Sequence, residues 1–424
     1  MKDKYYNTVI IGAGASGLYC ACALEPAVAG SAIILEKTKK AGTKLLMSGS
    51  GQCNITHGGT IKDFISHYGD NGRKIRSLLQ KYSNLSLRKF IEDMGLPLME
   101  RDDGKVFPAS MSSKDVLRVI LQEIKIKNID IEYDAGVNNI EYLDGEDDKN
   151  DSPRFAVYTP KGIFRCHNLV IATGGASYPS TGSDGKMFEM LSLIRDVKII
   201  PPKPSLTPVY TEDYRFGELS GISFDNVGLS IRNVSGNKVH AAEGSLLFTR
   251  NTFSGPVIIN NSRYMDKGTR LEINFIPDIN MYELVNRFKK DFPGNKKSPH
   301  IYLSDEFKLP KRFLRVVCDG LKMSERKVSQ LTGKDMEELA TALTCSVFII
   351  EKVGGFNEAM ATCGGVSLEN WNPKTSGHNE RKGLYFIGEV LDIDGDTGGY
   401  NLQFAYSSAR AAAADISAKY LQYV

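Results

Sequence analysis

Thr8-Val9-Ile10-Ile11-Gly12-Ala13-Gly14-Ala15-Ser16-Gly17 runs four β-prone residues into a Gly-x-Gly-x-x-Gly. The Ala- and Leu-rich stretch that follows, Leu18 to Leu24, has helical character. Strand, glycine turn and helix in this order are the context a dinucleotide-binding motif requires. Gly12 allows the tight turn, Gly14 lets backbone approach a pyrophosphate, and Gly17 lets helix and strand pack closely. The phosphates would sit on free N–H groups at the positive end of the helix. A second apolar strand, Ala32 to Leu35, ends in Glu36, 19 residues past Gly17 (36 − 17). About 20 is the spacing of the acid that holds ribose hydroxyls. The alternative is a tight strand–helix turn with no ligand.

At 424 residues the chain is too long for one ordinary core, so two or three domains are expected. Apolar content of 42% and charged content of 24% are those of a soluble globular protein. A net charge of +3 gives no global drive toward nucleic acid or acidic membranes. No apolar run has the length of a membrane span, and the first strand begins too early for a signal peptide. The seven cysteines are an odd set without a Cys-x-x-Cys pair. A cytoplasmic protein without disulfides is expected.

After Glu36, the Ser- and Gly-rich stretch 48–56 can pass close to a ligand and offer backbone donors; the alternative is a flexible surface loop. Residues 73–94 carry helical spacing and Ser113 opens another helix. Ile129–Tyr133 and Val137–Leu143 are expected strands, and Asp144–Asp151 an acidic, solvated hairpin turn. Phe155–Tyr158 and Ile163–Cys166 form an expected hairpin, and Leu169–Gly175 a separate buried strand ending in glycines. From 196 the prolines and short alternating strands (227–231, 238–241, 245–248, 270–275) predict a β-rich insert, followed by helices over 281–345. The segment 288–315 is locally basic; a solvated face is expected over an anion or RNA patch, because aromatic residues do not interleave the charges. A strand ending in Gly388-Glu389, the glycines Gly398-Gly399 and an Ala-rich helix over 405–421 suit a ribityl chain and a reduced flavin. Asp392, Asp394 and Asp396 only partly imitate a calcium loop; no metal is expected.

The chain resembles the BaiN-like, aminoacetone-oxidase-like family of FAD-binding oxidoreductases. The resemblance rests on Gly12–Gly17, Lys44–Asn54, Ala172–Pro179, Leu246–Thr249, Ser254–Pro256, Gly364–Val366 and Gly388–Gln403, in order along nearly the whole chain. It implies an α/β protein: a doubly wound, Rossmann-like FAD domain of glutathione-reductase type, with a β-rich and helical insert. The expected division is 1–195 and 345–424 for the FAD domain and 196–344 for an insert acting as a substrate cap. FAD contacts are implied at Gly12, Gly14, Gly17, Glu36, Lys44, Asn54, Thr173, Gly174, Glu389 and Asn401. The cofactor set extends to Ala15, Ser16, Lys37, Ser48, Gly49, Cys53, Val137, Ala172, Gly175, Gly388, Asp396, Gly399, Tyr400 and Leu402. The family usually has Arg where Gln52 stands, Asn where His57 stands and His where Arg250 stands. Arg250 is the candidate substrate residue, holding an anionic group at a solvent-excluded flavin face; the alternative is a surface Arg on a β-turn.

The expected activity is hydride transfer between bound flavin and a small organic substrate, with NAD(P)H as transient reductant. A flavin amine oxidase using oxygen is the second reading, and a flavoprotein acting with RNA the third. No Ser-His-Asp or Cys-His arrangement is apparent by spacing, and no catalytic residue is assigned. A small-molecule partner is expected, and neither nucleic acid nor membrane.

Overall fold

The computed structural model describes residues 3–143 and 152–421; the expected acidic turn at 144–151 lies outside them. The described chain forms two compact units, residues 1–204 with 360–424, and residues 205–359. These boundaries fall later than the expected 196 and 345. Strand Ile199–Ser205 pairs with Ala361–Val366 inside the first unit, while strand Ser346–Val353 closes the sheet of the second.

In the first unit, strand β1 (Asp3–Ile11), helix α1 (Ala15–Ala23) and strand β2 (Ala32–Leu35) form the expected strand–helix–strand unit. β1 and β2 pair in parallel, Thr8 opposite Ala32 and Ile11 opposite Leu35. Asp130–Glu132 extends the sheet beyond β2 in parallel. On the other side of β1 lies Gly162–Ile171. This is one ten-residue strand, where the sequence suggested a hairpin arm and a separate strand. Its first half pairs antiparallel with Phe155–Thr159; its last residues pair in parallel with Leu384–Phe386. An unbroken strand lets the same backbone serve both partners. α1 packs against helices Ser113–Ile126 and Tyr400–Leu421. The expected helix over 73–94 is broken into Arg76–Lys81 and Asn84–Asp93. Ser83 caps the second of these, its hydroxyl accepting from Ser86 N.

The second unit is a closed six-stranded barrel with helices packed on it. Its strands are Val209–Thr211, Ser223–Arg232, Lys238–Phe248, Phe253–Ser254, Arg270–Asn274 and Ser346–Val353. Lys238–Phe248 runs unbroken where two short strands were expected. Closure removes the exposed edges an open sheet of this size would carry. The core is rich in phenylalanine: Phe216 stacks on Phe248 at 4.7 Å, and Phe313 of helix Lys311–Gly320 meets Phe275 at 4.5 Å. Each unit buries its own hydrophobic cluster. Among the described residues no helix is long and apolar enough to cross a membrane.

Candidate cofactor site

Four parallel strands of the first unit end side by side, and most of the candidate residues stand just past those ends. Gly12 follows β1, Glu36 follows β2, Ala172–Gly175 follows Gly162–Ile171, and Gly388-Glu389 follows Leu384–Phe386. Outside the carboxyl ends of its strands is where an open α/β sheet binds ligands.

The three motif glycines differ in what surrounds them. A Cβ on Gly12 would lie 2.5 Å from Ala172 O, and its φ of +106° is one that L-residues avoid. A Cβ on Gly17 would lie 2.0 Å from Gly12 O. A Cβ on Gly14 would meet nothing within 4 Å. Two glycines are thus required by packing of the protein itself, and one faces open space. Ala15 and Ser16 form the first turn of α1, and Ser16 packs under Gly388, whose own Cβ would sit 2.6 Å from Ser16 Oγ.

Glu36 is buried, and its carboxylate is already engaged by the chain. Oε2 accepts from Ala13 N at 2.8 Å; Oε1 accepts from Thr38 N at 2.8 Å and Thr38 Oγ1 at 2.7 Å. The acid therefore ties β2 to the glycine loop. Lys37 Nζ reaches Asp184 at 2.7 Å, which brings loop 182–185 beside this corner. Val137 is partly buried against the core nearby in sequence to Gly136, whose Cβ would approach the Lys37 side chain at 3.4 Å.

A second group joins residues that are remote in sequence. Lys44 Nζ donates to Glu389 Oε2 at 2.6 Å and to Ser177 Oγ. Ser177 Oγ donates to Glu389 Oε1 at 2.8 Å, and Thr362 N donates to the same oxygen at 2.9 Å. Thr362 Oγ1 accepts from Ala176 N and Ser177 N at 2.8 and 3.1 Å. A Cβ on Gly175 would strike this Thr362 hydroxyl at 2.3 Å. Gly174, at φ +72°, turns the chain above it. Thr173 Oγ1, beside them, is buried with no hydrogen-bond partner among the described residues. Lys44 and Glu389 were candidates from the sequence; Ser177 and Thr362 were not. Ser177 lies within a family-like stretch and Thr362 two residues before Gly364, but nothing in linear spacing pairs them.

The third group gathers at the start of helix Tyr400–Leu421. The Tyr400 ring stacks on two imidazoles, 4.1 Å from His67 and 5.4 Å from His57, both nearly parallel to it. His67 Nδ1 is 3.0 Å from Asp396 Oδ2, and burial raises the Tyr400 phenol above its ordinary range. Neither histidine was a candidate, although His57 marks a departure from the family pattern. Asn401 does not point outward: its amide pairs with both N and O of Gly395, at 2.8 and 2.7 Å, and braces the turn before the helix. Asn54, with its amide NH2 on Thr56 O and Val106 O, accepts from Gly399 N at 3.2 Å. Gly399 itself (φ +96°) is pressed against Thr56, to 2.7 Å for a Cβ. Leu402 is half-buried against the core in the helix's first turn. The N–H groups of that turn have no intrahelical partner and carry the positive end of the helix dipole. Two of the three aspartates are used separately: Asp392 accepts from Gly364 N and Asn71, and Asp396 from His67.

Loop 48–53 is unusual in backbone. Gly49, Ser50, Gly51 and Cys53 all have φ between 55° and 85°, costly for the two non-glycine residues and therefore held by tertiary contacts. Ser48 donates to Leu45 O and accepts from Cys53 N. Cys53 is fully buried, and burial pushes its thiol up to about 11, which favours the protonated form. Among the described residues, none of the seven cysteines is in a disulfide. In the native protein at mildly alkaline pH, Ellman's reagent should therefore reach Cys345 and Cys363 alone; denaturation should release the full set. Rapid native modification of Cys53, mapped by mass spectrometry, would contradict its burial.

In the second unit Arg250 is exposed on the turn 249–252, which is stapled by Thr249 and Thr252. Of the two readings of Arg250, its exposure matches the surface arginine on a β-turn.

The family model described as "HI0933-like protein Rossmann domain" matches residues 6–415. A Haemophilus influenzae protein named ribosomal RNA dihydrouridine synthase is 30% identical over 98% of this chain and 99% of its own length. A Clostridium scindens protein named 3-dehydro-bile acid delta(4,6)-reductase is 26% identical over 95% of this chain and 98% of its own. Among solved structures, the apo Sdh1 complex of Mycobacterium smegmatis aligns with a TM-score of 0.50 at 13% identity, over 100% of this chain and 70% of that one; the likeness is one of fold.

Proposed function

The chain belongs to the HI0933-like Rossmann-domain family, and from that premise we propose that it is a FAD-dependent oxidoreductase that saturates a carbon–carbon double bond conjugated to a carbonyl. The observation that carries the cofactor reading is the contrast among the motif glycines: space is left open at Gly14 alone, where a pyrophosphate would approach. The partnerless Thr173 hydroxyl supplies a further hydrogen-bonding group beside the same strand ends. Glu36, Gly14 and the first turn of α1 would hold the adenosine and phosphates. The Lys44–Ser177–Glu389 group and the start of helix Tyr400–Leu421 would hold the rest. FAD, when bound, supplies two-electron chemistry; the protein sets its position and potential.

The acceptor class comes from what two relatives' names have in common. Making dihydrouridine and reducing a delta(4,6) bond of a 3-dehydro bile acid both saturate an alkene in conjugation with a carbonyl. The balanced reaction consumes NAD(P)H, a proton and the unsaturated acceptor, and yields NAD(P)+ and the saturated product. Anaerobic stopped-flow mixing tests this directly. NADH or NADPH should bleach the flavin, amines should not, and a 4-en-3-one or a uridine substrate should restore the oxidised spectrum. Bleaching by an amine with fast reoxidation by oxygen would make the protein an oxidase and end the reductase reading.

Glu36→Ala should lower FAD affinity by about 1.5–3 kcal/mol, the scale of hydrogen bonds to a charged acceptor. Because the carboxylate also holds Ala13 N and Thr38 N, a modest loss of thermal stability should accompany it. Titration of apoprotein with FAD measures the first and calorimetry the second; unchanged FAD affinity would remove the assigned role.

A further inference from the structure

Saturating an enone takes a proton as well as a hydride, so a group must supply that proton to the second carbon. One pair of side chains in the first unit has the form of such a donor. His67 is the C-cap of helix Ile61–Ser66. Asp396 lies in the loop between Gly388-Glu389 and helix Tyr400–Leu421. Two contacts fix one to the other: Asp396 N donates to the His67 backbone carbonyl at 2.8 Å, and His67 Nδ1 stands 3.0 Å from Asp396 Oδ2. An ionised carboxylate only accepts, so Nδ1 carries the proton of this contact and Nε2 is the nitrogen left to act on another molecule.

The ring has little freedom to turn away. It stacks on Tyr400 at 4.1 Å, with 16° between the planes. Tyr400 is pinned in turn by the edge of Phe64 at 5.0 Å and by Tyr68, whose hydroxyl donates to Tyr400 O at 2.8 Å. The His67 side chain is nevertheless 36% exposed, so it is held and still reachable. Other proton-bearing groups of the site are less suited. Cys53 is fully buried, and Lys44 is bonded to Glu389 and Ser177. His57 is backed by Gly104, where a Cβ would lie 2.4 Å from its Cε1. Asp63, four residues before His67, is bound to Thr60.

We propose that His67 is the proton donor to the acceptor's α-carbon and that Asp396 is its positioning residue, fixing tautomer and orientation as a carboxylate does for a paired imidazole. The inference rests on the reductase reading and deepens it. The loop that carries Asp396 joins the Glu389 group to the first turn of helix Tyr400–Leu421, the two places assigned above to the flavin, so the imidazole would border the acceptor. The acceptor's β-carbon gains a hydride from the reduced cofactor, forming one C–H bond while the alkene electron pair moves through the α-carbon toward the carbonyl oxygen. The α-carbon then takes a proton from the imidazolium Nε2. That N–H bond breaks, its electron pair stays on nitrogen, and the neutral ring keeps Nδ1–H on Asp396. Water returns the proton to Nε2.

The test uses the flavin-loaded protein without oxygen and separates the two half-reactions. His67→Gln should be bleached by NAD(P)H at the wild-type rate, while its reoxidation by a 4-en-3-one should slow at least about 100-fold, the low end of general acid catalysis. In His67→Gly, added imidazole should restore much of the lost rate, which a structural role would not allow. Asp396→Asn should slow the same half-reaction. Its His67 15N shifts should show the neutral ring's proton moved from Nδ1 to Nε2, because an amide can donate to Nδ1. In oxidised wild type without NAD(P)H, diethyl pyrocarbonate should modify His67, and a saturating 4-en-3-one should protect it. Flavin content and melting temperature are read on every variant. Reoxidation of His67→Gln at the wild-type rate would overturn the assignment, as would modification of His67 that the enone leaves unchanged. Equal slowing of both half-reactions without imidazole rescue would make His67 a structural support and also overturn it. A wild type that is bleached but reoxidised by neither a 4-en-3-one nor uridine would sink the reductase reading and the donor with it. A wild type that turns over while His67→Gln keeps pace would sink the donor alone.

Discussion

Gly14→Ala should yield a folded protein that does not retain FAD, whereas Gly17→Ala should damage the fold itself. At Gly14 the backbone has φ −80° and a new methyl would meet no protein atom within 4 Å. Any penalty is therefore paid by the ligand. A methyl placed where a pyrophosphate must touch backbone should cost on the order of 1–3 kcal/mol of FAD affinity, the scale of overpacking at a close contact. At Gly17 the methyl would stand 2.0 Å from Gly12 O. Only separation of α1 from the loop relieves that overlap, at about 3 kcal/mol or more of stability. Unfolding curves read against flavin absorbance separate the two. A Gly14→Ala protein that keeps stoichiometric FAD would show that the open space is not the phosphate site.

Lys44→Met should destabilise the first unit and weaken its hold on FAD together. The variant strands Glu389, which would keep Ser177 and Thr362 as donors but lose its counter-charge. Breaking a buried pair costs about 3–5 kcal/mol when one charge is left behind. Here the two side chains remain 26% and 19% exposed, so water screens part of the loss and about 2 kcal/mol is expected. Glu389→Gln should cost less, because a neutral amide still accepts from Thr362 N. The double variant should be less damaged than the sum of the two, by about 1 kcal/mol, since neither charge is then orphaned. Urea unfolding of the four proteins closes the cycle. Strict additivity would mean that the pair contributes no coupling, and the network would then be a consequence of the fold.

Legibility along this chain follows the range of the interactions. β1, α1, β2 and Glu36 could be read because each is specified within a few residues by β-branched runs and glycine placement. The helical break at Ser83 is also local, but the apolar periodicity on either side hides a cap that one hydroxyl provides. The single strand Gly162–Ile171 was read as two because its halves have different partners, Phe155–Thr159 and Leu384–Phe386. Pairing, not propensity, carries it through His167 and Asn168.

The use of both chain ends around an insert, and FAD itself, are what the family resemblance implies; by itself the sequence determined the glycine motif in its strand–helix context and the acid at its spacing. These are matters of order and spacing, and backbone sterics at glycine suffice to impose them. The tertiary structure supplied the atoms these glycines meet: Ala172 O at Gly12, Gly12 O at Gly17, and open space at Gly14. It also decided that Ser177 and Thr362 complete the Lys44–Glu389 pair, that Tyr400 stacks with His57 and His67, and that Asn401 braces a turn. Lys44 and Glu389 are 345 residues apart in sequence. Nothing local couples them; they meet because parallel strands bring their carboxyl ends to one edge of the sheet, and only there do charge, burial and hydrogen bonding act on both.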